Sequence, residues 1–253
     1  MRASFAALGL FALSTPAVAA DLPVKAPAPP PIQAVSWTGF YVGGHAGYSW
    51  GRWDGDLVYD PGLGPLVGVF NPSRRTIDAN SWIAGGQIGF NYQVNSFVFG
   101  LEADASWTNL SGRGSFTTVP GDFNWAIENR LDWFGTVRGR AGVAFNNFLL
   151  YGTAGVAYGQ TSADQLVTNI IPCCLVTARA SASENHIGWT AGAGVEWMYS
   201  RNWSVKAEYL YTDLGSAAYR FIGTTFLGTP HTTDSFPADL TFHTVRVGVN
   251  YRL

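Results

Sequence analysis

Cysteine, lysine and charge in general are scarce in this chain. Its two cysteines, Cys173 and Cys174, are adjacent. Neighbouring thiols can close only a small, strained ring and make too few ligands for a metal, which argues against a disulfide framework or a structural zinc site. Lysine occurs only at Lys25 and Lys206, and charged residues are 13% of the chain, fewer than the exterior of a soluble barrel normally carries. The formal net charge is −2, so no basic excess points to nucleic acid. Beyond residue 20 there is no apolar run of membrane-helix length.

What is present begins with "MRASFAALGLFALSTPAVAA": one early charge, Arg2, a short apolar stretch broken by Pro16, then small residues. That is the layout of a secretory signal peptide, with an amphipathic or core helix as the alternative, and cleavage is expected after Ala20. Removing residues 1–20 takes away Arg2 and no acid, leaving a net charge of −3. Residues 21–36 hold five prolines between Pro23 and Pro31 and are expected to form an extended periplasmic leader. No composition shift divides residues 37–253, so one domain is expected there.

Period-two patterning recurs in eight runs, at 39–50, 81–93, 97–108, 131–145, 148–160, 187–199, 203–214 and 239–253. In 81–93, Trp82, Ala84, Gly86, Ile88, Phe90 and Tyr92 share one face, against Ile83, Gly85, Gln87, Gly89 and Asn91. The connections strictly alternate between long and short, and the short ones, "VNS", "NN" and "SRN", carry the Asn and Ser of tight turns. The pattern predicts an all-β, up-and-down, eight-stranded antiparallel barrel, with short turns at one end and four long loops at the other.

Such a barrel is either soluble, with its apolar face inward, or membrane-embedded, with that face outward. The aromatic residues decide for the membrane. Near the turn end of the apolar face lie Tyr92, Phe97, Phe148, Trp203 and Tyr251; near the loop end lie Trp50, Trp82, Trp107, Trp133, Tyr158, Trp189 and Tyr211. Two belts with Val, Ala, Leu and Ile between them match the girdles of a barrel in lipid. In hydrocarbon an open edge leaves backbone groups without water, so the run at 239–253 must pair with the run at 39–50. The expected location is the outer membrane of a Gram-negative bacterium.

The opposite parity collects Glu102, Asp104, Arg138, Arg140, Glu196, Lys206, Glu208 and Arg246, four acids and four bases. Counted from the turn end, Arg140 falls near the level of Glu102 and Arg138 near that of Asp104. The set suits either a charged gate or an ion-pair plug, and the narrowness of an eight-stranded lumen favours the plug. Arg252 is expected at the watery rim without a partner. Phe242 on the inward parity and His243 on the outward one blur the pattern above Val245, so the strand is expected to bend, bulge or leave the bilayer there.

Chemistry-bearing motifs are few. His45 is expected inward, His186 and His231 in or beside loops, and His243 at the loop-side rim. No Ser-His-acid set falls on the outer face, and no metal cluster, phosphate loop or cofactor box occurs, so no enzyme and no cofactor are expected.

The stretches "WTGFYVGGHAGYSWG", "GTVRGRAGVAF", "LLYGTAGVAYG", "VEWMYSRNWSVKAEYLYTDLG" and "VRVGVNYRL", with the leader "DLPVKAPAPPP", resemble the small outer-membrane β-barrel family of alpha-proteobacteria. Its members are often labelled outer-membrane immunogenic or porin-family proteins and are distantly related to opacity-type adhesins. The resemblance implies insertion by the barrel-insertion machinery, which commonly reads a final Phe where this sequence has Leu253. Some relatives are credited with haemin binding or porin activity, and no motif here carries either. The expected function is a structural, surface-exposed barrel in outer-membrane lipid, monomeric, with any ligand or adhesion partner met by the loops. A small-solute channel is the alternative.

Overall fold

In the computed structural model the described residues, 36–56, 74–117, 123–169, 177–224 and 230–253, all belong to the unit Ala34–Leu253. They form eight antiparallel strands: β1 (Gly39–Asp56), β2 (Arg74–Val94), β3 (Phe97–Thr117), β4 (Phe123–Phe145), β5 (Phe148–Asn169), β6 (Thr177–Met198), β7 (Trp203–Thr224) and β8 (Pro230–Arg252). Each pairs with its sequence neighbour, and β1 pairs with β8 from Tyr41↔Arg252 to Gly55↔Ala238, closing the barrel. The signal peptide, the leader as far as residue 35, and Cys173 and Cys174 lie outside the described residues.

The short connections fall where asparagine allows them. Asn95 and Asn146 take φ of 55° and 52°, a left-handed conformation that Asn tolerates better than most residues. The other end corrects the expectation of long loops. Every strand runs well past its expected loop-side boundary, and the segments between strands there shrink to 57–73, 118–122, 170–176 and 225–229.

The physical reason is an inversion of pattern along each strand. Up to the loop-side belt, apolar residues point out. Above it Arg52, Asp78, Asn109, Arg113, Asp132, Asp164, Asn185 and Asp239 are exposed, while Trp53, Ala79, Leu110, Leu131, Ala163, Leu214 and Leu240 are buried inside. Most of the ladder continues, although β2–β3 pairing ends at Asn80↔Ser111 and β6–β7 pairing at Trp189↔Asp213, and the side chains change from the pattern of a barrel in lipid to that of a barrel in water. On β4 the exchange is helped by a bulge at Asp132, between the pairs formed by Leu131 and Trp133, which carries Leu131 and Asn129 inward. Phe242 belongs to the same inverted interior. It is fully buried and meets Phe134 edge-on at 5.1 Å, and β8 passes through 242–243 in unbroken register with both neighbours. Of the three expectations for this point, β8 neither bends nor bulges at 242–243, and the change of pattern agrees with a strand leaving the bilayer.

The inversion makes a test. Arginine in place of Val247, outward between the belts, should cost about 2–4 kcal/mol of stability in lipid. Arginine in place of Asn185, above the loop-side belt, should cost under ~0.5 kcal/mol. The temperature at which the compact gel band converts to the unfolded one measures both, and equal losses would place the lipid boundary wrongly.

Candidate functional site

Closing eight strands leaves an interior just wide enough for its own side chains. At mid-height that interior holds the eight charged residues, all buried and inward. Glu102 on β3 is the hub. Its carboxylate accepts from Lys206 Nζ at 2.7 Å on both oxygens and from Arg138 Nη2 at 2.5 Å. Arg246 Nη2 approaches it to 3.5 Å and Arg140 Nη1 to 3.6 Å. Asp104 and Glu208 share Arg138 and Arg246: Arg138 reaches Asp104 at 2.9 Å and Glu208 at 3.0 Å, and Arg246 reaches them at 3.1 and 2.7 Å. Glu196 takes Arg140 Nη2 at 2.7 Å and also accepts from Ser204 at 2.5 Å and Asn250 at 2.9 Å.

The structure thus brings all eight expected residues into contact, including Arg138 with Asp104 and Arg140 with Glu102, but in a backbone register displaced from the turn-end count. Glu102 lies opposite Arg138, and Arg140 lies opposite Gly100. Levels counted from separate turns ignore the stagger that closing a barrel imposes, and that stagger sets the register.

Two tyrosines complete the layer. Tyr41 Oη donates to Glu102 Oε2 at 2.7 Å and accepts from Arg140 at 3.0 Å; Tyr151 Oη donates to Glu208 at 3.2 Å, with Arg140 4.0 Å above its ring. Both rings lie flat across a neighbouring strand because glycine leaves room. A Cβ on Gly89 would sit 2.7 Å from Tyr41 Cε1, and one on Gly194 would sit 2.6 Å from the Tyr151 hydroxyl oxygen.

Beside the ions, His45 Nδ1 meets Gln87 Oε1 at 2.5 Å, and its Nε2 meets Ser106 Oγ at 2.8 Å and, more distantly, Arg246 Nη1 at 3.5 Å. The carboxamide oxygen can only accept, so Nδ1 carries the proton and Nε2 accepts from the serine hydroxyl. The Ser-His-Gln order has the outline of a nucleophile, a base and an orienting group. Its third member is neutral, however, and all three side chains are buried. His186 is not a loop residue as expected: it is buried on β6, its Nε2 2.8 Å from Thr161 Oγ1. His231 falls on β8, and His243 sits outward among Trp50, Tyr209 and Tyr211, with its Nδ1 2.7 Å from Tyr209 Oη.

The ionic layer lies between two apolar clusters that no single-face pattern announced. On the loop side are Trp53, Ile83, Leu110, Leu131, Phe134, Leu214, Leu240 and Phe242. On the turn side are Trp37, Val98, Leu149, Tyr151 and Met198. Outside, Trp50, Trp82, Tyr92, Phe97, Trp107, Phe148, Tyr158, Trp189, Trp203 and Tyr251 are exposed, and Trp133 and Tyr211 are half-buried against neighbouring rings. Higher up, the exposed Arg113 donates to Glu128 at 3.1 Å and holds its carboxyl below the usual carboxylate range. Among the described residues no group of His, Cys, Asp or Glu could hold a metal ion.

A closed barrel with an outward apolar band between aromatic belts and a filled interior defines a transmembrane β-barrel of the outer-membrane class. The chain belongs to the outer membrane protein beta-barrel domain family, whose model matches residues 3–252. It is 34% identical to the 31 kDa outer-membrane immunogenic protein of Brucella melitensis, with 94% of each chain covered. It is 32% identical to the 22 kDa outer membrane protein of Rhizobium leguminosarum, covering 74% of this chain and 68% of that one. Among solved structures it is similar to the outer membrane protein OprG of Pseudomonas aeruginosa, with a TM-score of 0.45 and 13% identity over 85% of this chain and 97% of that one. The protein is an outer-membrane β-barrel of a Gram-negative bacterium.

Glu102→Gln removes the charge that all four cations meet. It should destabilise the barrel by about 3–5 kcal/mol, because four buried cations then face three acids and Lys206 keeps only Glu208, 4.0 Å away. Adding Lys206→Met should recover part of that loss by matching cations to acids again. Glu128→Gln, on the surface, is the control and should leave the gel-conversion temperature unchanged. A Glu102→Gln barrel as heat-resistant as the parent would remove Glu102 from its central place.

Proposed function

We propose that this protein is a non-catalytic, non-conducting outer-membrane barrel whose work is done at the cell surface. The observation that carries this is the filling of the lumen in three successive layers: the turn-side cluster, the ion pairs and the loop-side cluster. A conducting path needs polar groups that a solute can replace water against. Here the central polar groups bind one another, and apolar side chains cover them at both ends.

The strands carried beyond the loop-side belt form a support with its own apolar core. Any ligand or adhesion partner is met there. The printed name of the Brucella relative, an outer-membrane immunogenic protein, agrees with such exposure. Residues 1–20 serve as a signal peptide and 21–36 as a periplasmic leader. The barrel sits in lipid as a monomer after delivery by the insertion machinery. The Ser106–His45–Gln87 trio orders side chains and does no chemistry: a neutral carboxamide cannot balance an imidazolium, and all three side chains are buried.

Planar-bilayer recording tests the central claim. Purified, refolded protein should hold the current at baseline; a steady conductance well above background would sink the plugged lumen in favour of a small-solute channel. Lipid A of unchanged mass on overexpression is the expected result for the absence of lipid-modifying activity.

A further inference from the structure

The three residues before β1 do more than lead into it. Trp37 is fully buried, and its side chain packs with Val98 on β3, Leu149 and Tyr151 on β5, and Met198 on β6. Its backbone N–H donates to the Gln93 side chain of β2 at 2.6 Å, and the backbone N–H of Gln93 donates to Thr38 Oγ1 at 2.9 Å. On β8 the Arg252 guanidinium lies over the indole, 5.4 Å from the ring centroid, and its Nη1 donates to the Ser36 carbonyl. Arg252, expected to stand free at the rim, is half-buried in this contact. Through its side chain Trp37 joins residues of four strands, and through its backbone a fifth, at the turn-end mouth of the lumen.

The position coincides with the seam. The β1–β8 ladder starts at Tyr41↔Arg252, and that pairing joins the two strands furthest apart in sequence. Around its end, Leu253 N–H donates to the Phe40 carbonyl at 3.0 Å, and Arg252 exchanges hydrogen bonds with Asn202 of the β6–β7 turn at 2.7 and 2.9 Å. A ladder end exposed to water frays unless something else fixes it. The Trp37 indole, clamped between the lower cluster and Arg252, is placed to do so. The indole N–H has no acceptor among the described residues, so the ring is held by packing and by the cation, and hydrogen bonding of the side chain contributes nothing.

We infer that Trp37 is a latch: it seals the turn-end mouth of the lumen and fastens the β1–β8 seam through Arg252. The latch adjoins the ionic layer through Tyr151 and would operate whether or not that layer conducts.

The test uses the full-length mature chain with Cys173→Ser and Cys174→Ser, folded in vesicles, with Met198→Cys as a reporter beneath the indole. A water-soluble thiol reagent should label this cysteine slowly when Trp37 or Trp37→Phe is present, and at least ~10-fold faster in Trp37→Ala. If the alanine variant does not fold, Trp37→Leu takes its place with the same expectation. Equal labelling rates in all folded variants would overturn the seal. For the seam, the gel-conversion temperature should fall in Trp37→Ala and in Arg252→Ala, and the double variant should fall no further than the worse single one. Fully additive losses, or none, would overturn the fastening. Conductance in Trp37→Ala would count against the plugged ionic layer and leave the latch intact.

Discussion

The carboxylate of Glu102 is the point on which the rest of this interior depends. All four buried cations converge on it, from β4, β7 and β8. In a lumen this narrow, a charge cannot be hydrated, so it must be neutralised by a neighbour. Once four bases surround one acid, the other three acids are needed at the periphery to balance the set, and the layer holds four of each. Tyr41 and Tyr151 then supply donors to oxygens the cations leave open, and Gly89 and Gly194 are required so that those rings can lie across the neighbouring strands. The choice of charge, aromatic and glycine at seven positions or more traces back to one constraint on space and solvation.

The same strands answer to two solvents. Between the aromatic belts the hydrocarbon lies outside and the polar groups lie within. Above the loop-side belt water lies outside, and the apolar side chains move in, as with Trp53 beneath exposed Arg52 and Leu240 beside exposed Asp239. Most ladders continue through that change, with register shifts at the crossing in β3–β4, β4–β5 and β7–β8, while β2–β3 and β6–β7 pairing ends near it. The hydrophobic pattern marks the membrane boundary, and the ends of the strands lie beyond it.

This explains what was legible in the sequence. The turn ends were, because Asn95 and Asn146 are suited to the left-handed conformation the turns use. Closure and the direction of every charged side chain were, because parity is a local property. The loop ends were not: a search for one continuous apolar face stops at Trp50 or Trp107, where the face changes sides, and so the inner role of Phe242 looked like a blurred pattern. The register of the charges was also hidden, because the placing of Glu102 opposite Arg138 depends on the stagger of the whole barrel. Trp37 and Arg252 gave least warning. A single aromatic before a strand has no periodicity, and a strand-end arginine ordinarily belongs to water.

The apolar clusters at either end of the lumen and the ions between them strengthen one another. Opened to water on either side, the pairs around Glu102 would become screened ion pairs, each worth ~0–1 kcal/mol. Covered by Phe134 and Phe242 on one side and by Trp37 and Leu149 on the other, they act in a medium where attraction between charges is several times stronger. The clusters in turn need the ions, because a lumen lined by strands of alternating parity has backbone on every wall and cannot be filled by apolar side chains without matching each pleat. Arg138, Arg140, Lys206 and Arg246 are long enough to cross from wall to wall, which shorter apolar residues are not. The ions span the width of the barrel, and the apolar caps keep out the water that would weaken them.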